Sequence, residues 1–407
     1  MSFGSGADIL GNVKYKVLFT IAGLIGSLLF LKVVDPLFKH RTFGRVQAVA
    51  KGDADREALL KKVVDTPAWR KFRHKTSRHN GKLVETDRQL GSNNLMNTKY
   101  SVISPNTLVR DTVSVRHENQ KEFETLFDVT YSIDDHSRRK VSQGVSGDKS
   151  SSLLLLGCSF TFGVGVQDEE TFSAVLQQKD PKTGVYNLGI RGAGPNDFLD
   201  DFQENPQRYE GIVGKKGAIV YTAIADQFER AICQTRCYSE ESSIRLGATR
   251  TLFRINKSKY ALDEQGEVVR KGTFLAADPF SSFRQLAFRS NIVTLLYREL
   301  FPYPQDSDVW LFAKMIEKIK ANMSTKFSHD FYFAFFPESH IEQKDVLFRH
   351  LTDLGIAYFD FTDVRFNKVL NGRAFHPYDR HPTALGHYAY AKLLEQELAK
   401  RETAGSR

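Results

Sequence analysis

The chain has 407 residues, of which 41% are hydrophobic, 12% aromatic and 26% charged, a balance that suits a globular protein and excludes a wholly disordered one. With 57 basic against 48 acidic side chains the formal net charge is +9, compatible with an anionic surface or polymer but carrying no sequence specificity of its own. Three cysteines exclude a disulfide framework and a cysteine-rich zinc module, and 31 Phe against 2 Trp point to core filling rather than to a chemistry.

Residues 17–31 read VLFTIAGLIGSLLFL without a charge, between Lys16 and Lys32. With Val33, Val34, Leu37 and Phe38 the stretch approaches the ~20 residues that cross hydrocarbon. Residues 1–38 therefore read as an uncleaved single-pass transmembrane anchor, because no small-x-small cleavage site follows; a cleaved signal peptide and a buried helix are the alternatives. Lys32, Lys39, Arg41 and Arg45 outnumber Lys14 and Lys16, so the flanking charges lean against an extracytoplasmic main domain. Residues 39–98 are basic and polar and read as a solvated juxtamembrane stalk with a short helix over 53–64. Nucleic-acid binding is the weaker reading of that stretch, since its aromatics are few and unevenly spaced. Over 99–149 the alternation clearest in FDVTYSI, 127–133, predicts a small β-rich lead-in.

From 150 the pattern is regular. Strands are predicted at 153–156, 185–188, 218–223, 331–336 and 356–361, alternating with helices at 168–178, 196–202, 283–300, 308–323, 341–354 and 384–400. The four-Leu run 153–156 has the composition of a strand buried on both faces. The expectation is an α/β domain over 150–401: a parallel sheet of about five strands between two helical layers, with its chemistry at the carboxyl ends of the strands. Segment 233–280 is too long for a plain connection and reads as an insertion of the lid or specificity kind. Cys233 and Cys237 within it would be bonded in an oxidising compartment and free thiols otherwise.

The first strand ends in Gly157-Cys-Ser159-Phe-Thr-Phe-Gly163, and His376-Pro-Tyr-Asp379-Arg-His381-Pro382 lies between the fifth strand and the last helix. Both loops fall at one edge of a parallel sheet. A serine nucleophile needs a base to take its proton, and the base needs an anion to fix its tautomer. Ser159, His381 and Asp379 supply those roles in that order. The amide of Ser159 and the turn Gly189-Ile-Arg-Gly192-Ala-Gly194 are natural oxyanion donors. Cys158 should point away from Ser159 and fill the core. His376, Asp379, His381 and His387 are also metal-ligand types, but no second cluster supplies further ligands and Ser159 would go unexplained. An α/β-hydrolase elbow wants Gly-x-Ser-x-Gly, and Thr161 occupies its last position.

Residues 153–230 and 370–395 resemble the SGNH (GDSL-like) hydrolase superfamily. Gly157 to Gly163 resembles its first block, with Cys158 where Asp is commonest; Asn187-Leu-Gly-Ile-Arg-Gly192 resembles the second, whose glycine amide serves the oxyanion hole; Asp379-Arg-His381-Pro382 resembles the last. The stretch 127–139 is similar to the lead-in of bacterial membrane-associated members. The resemblance implies a flavodoxin-like three-layer fold and a serine esterase without metal or cofactor. The implied substrate is the O-acyl (acetyl) group of a carbohydrate or lipid ester, an acylated envelope polysaccharide among them. It also implies an inner-membrane protein with a periplasmic catalytic domain. The third block departs from the pattern: Ala225 stands where the family places an oxyanion-hole Asn, so that Gln227 or Asn196 would have to donate instead. Without that donor, the chain would be a catalytically inactive glycan-binding or polymer-assembly relative. Nothing in the sequence sets an oligomeric state.

Overall fold

The computed structural model describes residues 52–65, 83–90, 102–117, 122–141, 149–214, 216–233, 243–246, 249–252, 256–288, 290–300 and 304–405. The apolar run at 17–31 lies outside them; among the described residues no helix is long and apolar enough to cross a membrane.

Helix α1 (Ala54–Asp65) is followed by an antiparallel sheet ordered β1 (Leu83–Leu90), β2 (Leu108–His117), β3 (Glu124–Ser132). The alternation read at 127–133 is realised in β3, where Phe127, Val129 and Tyr131 are buried and Asp128 and Thr130 exposed. The stretch read as a solvated stalk contains α1, which is docked instead. Leu60 and Val63, three apart on one helical face, join the core of the main domain. One turn earlier Glu57 accepts from Arg365 Nε at 2.8 Å and Nη2 at 2.6 Å.

The main domain runs β4 (Ser151–Gly157), the single turn α2 (Ser159–Phe162), α3 (Phe172–Lys179), β5 (Thr183–Asn187), α4 (Pro195–Glu204), β6 (Lys216–Ala223) and α5 (Asp226–Ile232). Two hairpins follow, β7 (Ser243–Leu246) with β8 (Thr249–Leu252) and β9 (Ser258–Leu262) with β10 (Val268–Thr273). The chain closes with α6 (Ser281–Ala287), α7 (Asn291–Leu300), α8 (Asp306–Ser324), β11 (Asp330–Phe335), α9 (Lys344–Asp353), β12 (Ala357–Asp360), α10 (Phe366–Val369) and α11 (Ala384–Gly405).

Five parallel strands form the central sheet in the order β12-β11-β6-β4-β5. Counted from β4 this is the 2-1-3-4-5 order of flavodoxin-like folds, and its switch point lies beside β4. The strand pleat sends alternate residues to opposite layers. Leu154 and Leu156 pack with Phe198, Phe228, Phe312 and Ile316 from α4, α5 and α8. Leu153 and Leu155 pack with Phe172, Leu176, Tyr390 and Leu394 from α3 and α11. Leu154, Leu155 and Leu156 are 0% exposed, and burying each stabilises the sheet by about 1.5–3 kcal/mol.

Two helices expected as single pieces are divided. The stretch 168–178 begins as a 3-10 turn, Asp168–Glu170, and only then becomes α3, because Thr171 Oγ1 accepts from Ala174 N–H at 3.2 Å and caps a new helix. The stretch 283–300 breaks between α6 and α7, where Ser290 Oγ accepts from Val293 N–H at 3.3 Å.

Candidate active site

β4 runs into α2 through Gly157, whose φ is +148°. A Cβ there would lie 2.6 Å from the Thr222 carbonyl on neighbouring β6, so glycine alone lets the chain leave the sheet at this point. Cys158 turns into the core, a free thiol with 0% exposure. Ser159 begins α2 and is 7% exposed, a hydroxyl held at the floor of the site rather than on an open strand end. As the first residue of a helical turn, its N–H has no intrahelical acceptor and is free for a ligand oxygen.

The turn carrying Ser159 is clamped by the end of β5. Asn187 Nδ2 donates to Thr161 O at 2.8 Å and Ser173 Oγ at 3.0 Å, while its Oδ1 accepts from Gly189 N–H at 3.0 Å. Gly189 lies so close that a Cβ would stand 2.3 Å from Phe162 N. The loop after α2 is held by the lead-in. Arg139, 1% exposed, donates to Asp168 Oδ1 at 2.6 Å and Val166 O at 2.9 Å, and Tyr131 Oη accepts from Gly165 N–H at 3.0 Å. Burial and the neighbouring Asp111 carboxylate raise the Tyr131 pKa, which keeps this phenol protonated and donating to Asp111 Oδ2 at 2.6 Å.

The last loop folds back on itself, with His376 N–H donating to His381 O at 2.8 Å and Arg380 N–H to His376 O at 3.0 Å. This brings His381 Nε2 to 2.9 Å from Ser159 Oγ and joins its Nδ1 to Asp379 Oδ1. The carboxylate can only accept, so Nδ1 carries the proton and Nε2 faces the serine as an acceptor. Phe160 packs beside the imidazole, ring centroids 5.6 Å apart. The other histidines go elsewhere: His376 Nε2 donates to Gly165 O at 3.1 Å, and His387 Nδ1 accepts from Phe172 N–H at 3.3 Å. Among the described residues no group of three or more His, Cys, Asp and Glu side chains is placed to hold a metal ion.

Gly192 sits in a turn closed by Ala193 N–H donating to Ile190 O at 3.2 Å, with φ +70° at Gly192. This is a type II turn, whose third position requires positive φ and hence glycine. The two side chains expected to replace the missing Asn are committed otherwise. Gln227 accepts from Tyr221 Oη at 2.8 Å and donates to Thr222 O at 3.2 Å. Asn196 Nδ2 donates to Ser258 O at 3.1 Å, away toward the insertion. Ala225, at the start of α5, offers only a methyl group. Sequence reasoning named Asn187 only as the start of the second block, and Tyr131 and Arg139 only within the lead-in 127–139; it assigned none of them a role at the site.

Ser159, His381 and Asp379 are thus joined at the carboxyl edge of a 2-1-3-4-5 sheet, beside its switch point, in the order that a nucleophile, a base and an orienting acid require. No protein-family model matches the chain and no curated protein does. Solved structures similar to it include a lipolytic protein of the G-D-S-L family from Veillonella parvula, at 12% identity over 60% of this chain and 97% of the other, TM-score 0.34. An acetylxylan esterase from Geobacillus stearothermophilus aligns at 13% identity over 62% and 95%, TM-score 0.31. A lipase from a goat rumen metagenome aligns at 12% over 60% and 96%, TM-score 0.31. Likeness at this level says nothing of the reaction, which rests on the site's own geometry.

Proposed function

We propose that the chain is an SGNH-type serine ester hydrolase that removes O-acyl groups, acetyl first among them, from a carbohydrate or lipid ester. The observation that carries this is the relay from Ser159 Oγ to His381 Nε2 at 2.9 Å, continued from Nδ1 to Asp379. Ser159 Oγ attacks the acyl carbon as His381 takes its proton; the C–O bond to the alcohol breaks and His381 returns the proton to it. Water then attacks the acyl-enzyme by the same route and releases the acid. The Ser159 and Gly192 amides are the donors offered to the oxyanion. The uncharged run at 17–31 supports anchoring to the bacterial inner membrane. Cys233 is disulfide-bonded, which supports an oxidising, periplasmic site for the domain against the lean of the flanking charges. Cys237 lies outside the described residues.

Turnover of p-nitrophenyl acetate by the purified chain, abolished in Ser159→Ala with the fold intact, is the expected result. A Ser159→Ala variant matching wild type on every ester tried would remove the reading.

A second reading, a non-catalytic glycan-binding or polymer-assembly protein, is favoured by one observation: Ala225 replaces the oxyanion Asn while Gln227 and Asn196 are engaged elsewhere. Ala225→Asn separates the two. Activity that holds or rises fits a working but incomplete hole, whereas wild type and variant both silent on acetylated sugars, with glycan binding retained, fits the second reading.

A further inference from the structure

We propose that Lys257, carried by the insertion at 233–280, is a positioning residue for the Gly192 turn, so that the insertion is part of the catalytic assembly. The proposal rests on the hydrolase reading above.

Lys257 lies just before β9, and its side chain is 3% exposed. Its Nζ donates to Gly192 O at 2.9 Å and to Asp197 Oδ2 at 2.7 Å. Asp197, in the first turn of α4, is itself buried, at 2% exposure, and its Oδ2 also accepts from Gly194 N–H at 2.7 Å. From the other side Arg230 Nη1 donates to Ala193 O at 2.9 Å. Successive backbone groups of the turn, Gly192 O, Ala193 O and Gly194 N–H, are thus each fixed by a charged side chain.

Two physical facts make this more than packing. Burying an ammonium beside a carboxylate brings little net stability, because desolvation offsets the attraction; what this pair supplies is a fixed place for Gly192 O and Gly194 N–H. The turn also needs imposed geometry. Glycine at its third position costs little to rotate, and a type I turn with the same ends would carry the Gly192 N–H on the opposite face. The bond from Ala193 N–H to Ile190 O closes either form of the turn and so does not choose between them. Lys257 fixes one end of the peptide pair that carries the oxyanion donor, and it does so from the hairpin.

That hairpin is fastened along one face of α4. Asn196 donates to Ser258 O at 3.1 Å, Tyr260 Oη donates to Asp200 Oδ1 at 2.8 Å, and Arg270 Nη1 donates to Glu204 Oε1 at 3.1 Å. Residues 196, 197, 200 and 204 recur at the helical repeat, so α4 presents a polar stripe on which β9 and β10 seat. Lys257 is the point where this seating reaches the turn.

The test compares wild type, Lys257→Met and Lys257→Arg on p-nitrophenyl acetate, with each preparation normalised by active-site titration with a fluorophosphonate. Displacing an oxyanion donor by the order of 1 Å costs roughly 10–100-fold in rate. Lys257→Met is expected to lose that factor in kcat per titrated site, with KM changed by less than about threefold, since the turn binds the transition state more than the substrate. Lys257→Arg keeps the charge and should recover part of kcat. Wild-type kcat per titrated site in Lys257→Met, whatever its melting temperature, overturns the proposal. If Lys257→Met does not fold, Lys257→Gln, which keeps a neutral donor, is read by the same split. Wild-type protein that neither turns over nor is labelled removes the hydrolase reading and this proposal with it; labelled, active wild type beside an unaffected variant removes the proposal alone.

Discussion

Replacing Asn187 by Leu, a side chain of similar size, removes the clamp between β5 and the turn that carries Ser159 without opening a cavity. Asn187 is 1% exposed, so the groups it serves are sealed from water. Ser173 Oγ keeps its contact with Thr171 Oγ1 at 2.8 Å and is not orphaned. The Thr161 carbonyl and the Gly189 N–H lose their side-chain partner. An unsatisfied buried polar group costs about 1–3 kcal/mol, so the pair predicts a loss of roughly 2–6 kcal/mol. Urea unfolding followed by circular dichroism reads this as a lower midpoint at unchanged slope. Asn187→Asp should be at least as harmful at neutral pH, where a carboxylate faces the Thr161 carbonyl. It should recover on acidification, when the protonated acid donates again. A loss below about 1 kcal/mol in Asn187→Leu, or no pH dependence in Asn187→Asp, would refute the clamp.

Gly189→Ala forces a methyl group to 2.3 Å from Phe162 N, and should destabilise by more than the ~1 kcal/mol of an average substitution; wild-type melting would count against the close approach. In ester turnover His381→Ala should cost roughly 10⁶-fold and Asp379→Asn roughly 10⁴-fold, because the acid orients the base rather than accepting the proton; equal losses would contradict the assigned order of roles. Hydrogen bonds from Arg365 hold the Glu57 carboxyl below its ordinary range, so its contribution to docking α1 is complete above about pH 4.3 and lost as pH falls through the lower folded value. The protection factors of α1 amides, corrected for the intrinsic exchange rate at each pH, should therefore fall on acidification in the wild type, and Glu57→Gln should abolish that dependence; an identical pH profile in the two would show that the pair does not dock the helix.

What the sequence displayed was whatever repeats locally. The Leu run 153–156, the FYFAFF strand and the alternation of β3 are periodicities, and each marks the element found there. The meeting of Ser159, Asp379 and His381 was legible because strand-end loops of a parallel sheet gather at one edge. Lys257 and Asp197, 60 residues apart, were not, since no spacing rule pairs a lysine before one hairpin with an aspartate in a distant helix. Leu60 and Val63 sit among lysines, and composition made that face look solvated until the Glu57–Arg365 bridge showed what it covers. The helix breaks at Thr171 and Ser290 were hidden because a capping hydroxyl reads as an ordinary polar residue inside an apolar pattern.

The Arg139 guanidinium carries a consequence for how this protein can be cut. It belongs by sequence to the segment before the α/β domain, yet its bonds end on Asp168 and on the carbonyl of Val166, and its charge lies 4.3 Å from the Tyr131 ring centre and 5.0 Å from that of Phe162. A fragment starting at residue 149 would take Asp168 without its Arg139 partner and leave behind the wall of the loop that follows α2. The transplantable module, whether for recombinant expression or as a portable cassette in gene fusion, therefore begins ahead of α1, whose Leu60 and Val63 share the core of the α/β domain. The small sheet travels with the α/β domain as a fixed part, and a boundary drawn where the α/β pattern starts would part Asp168 and Val166 from the Arg139 that binds both.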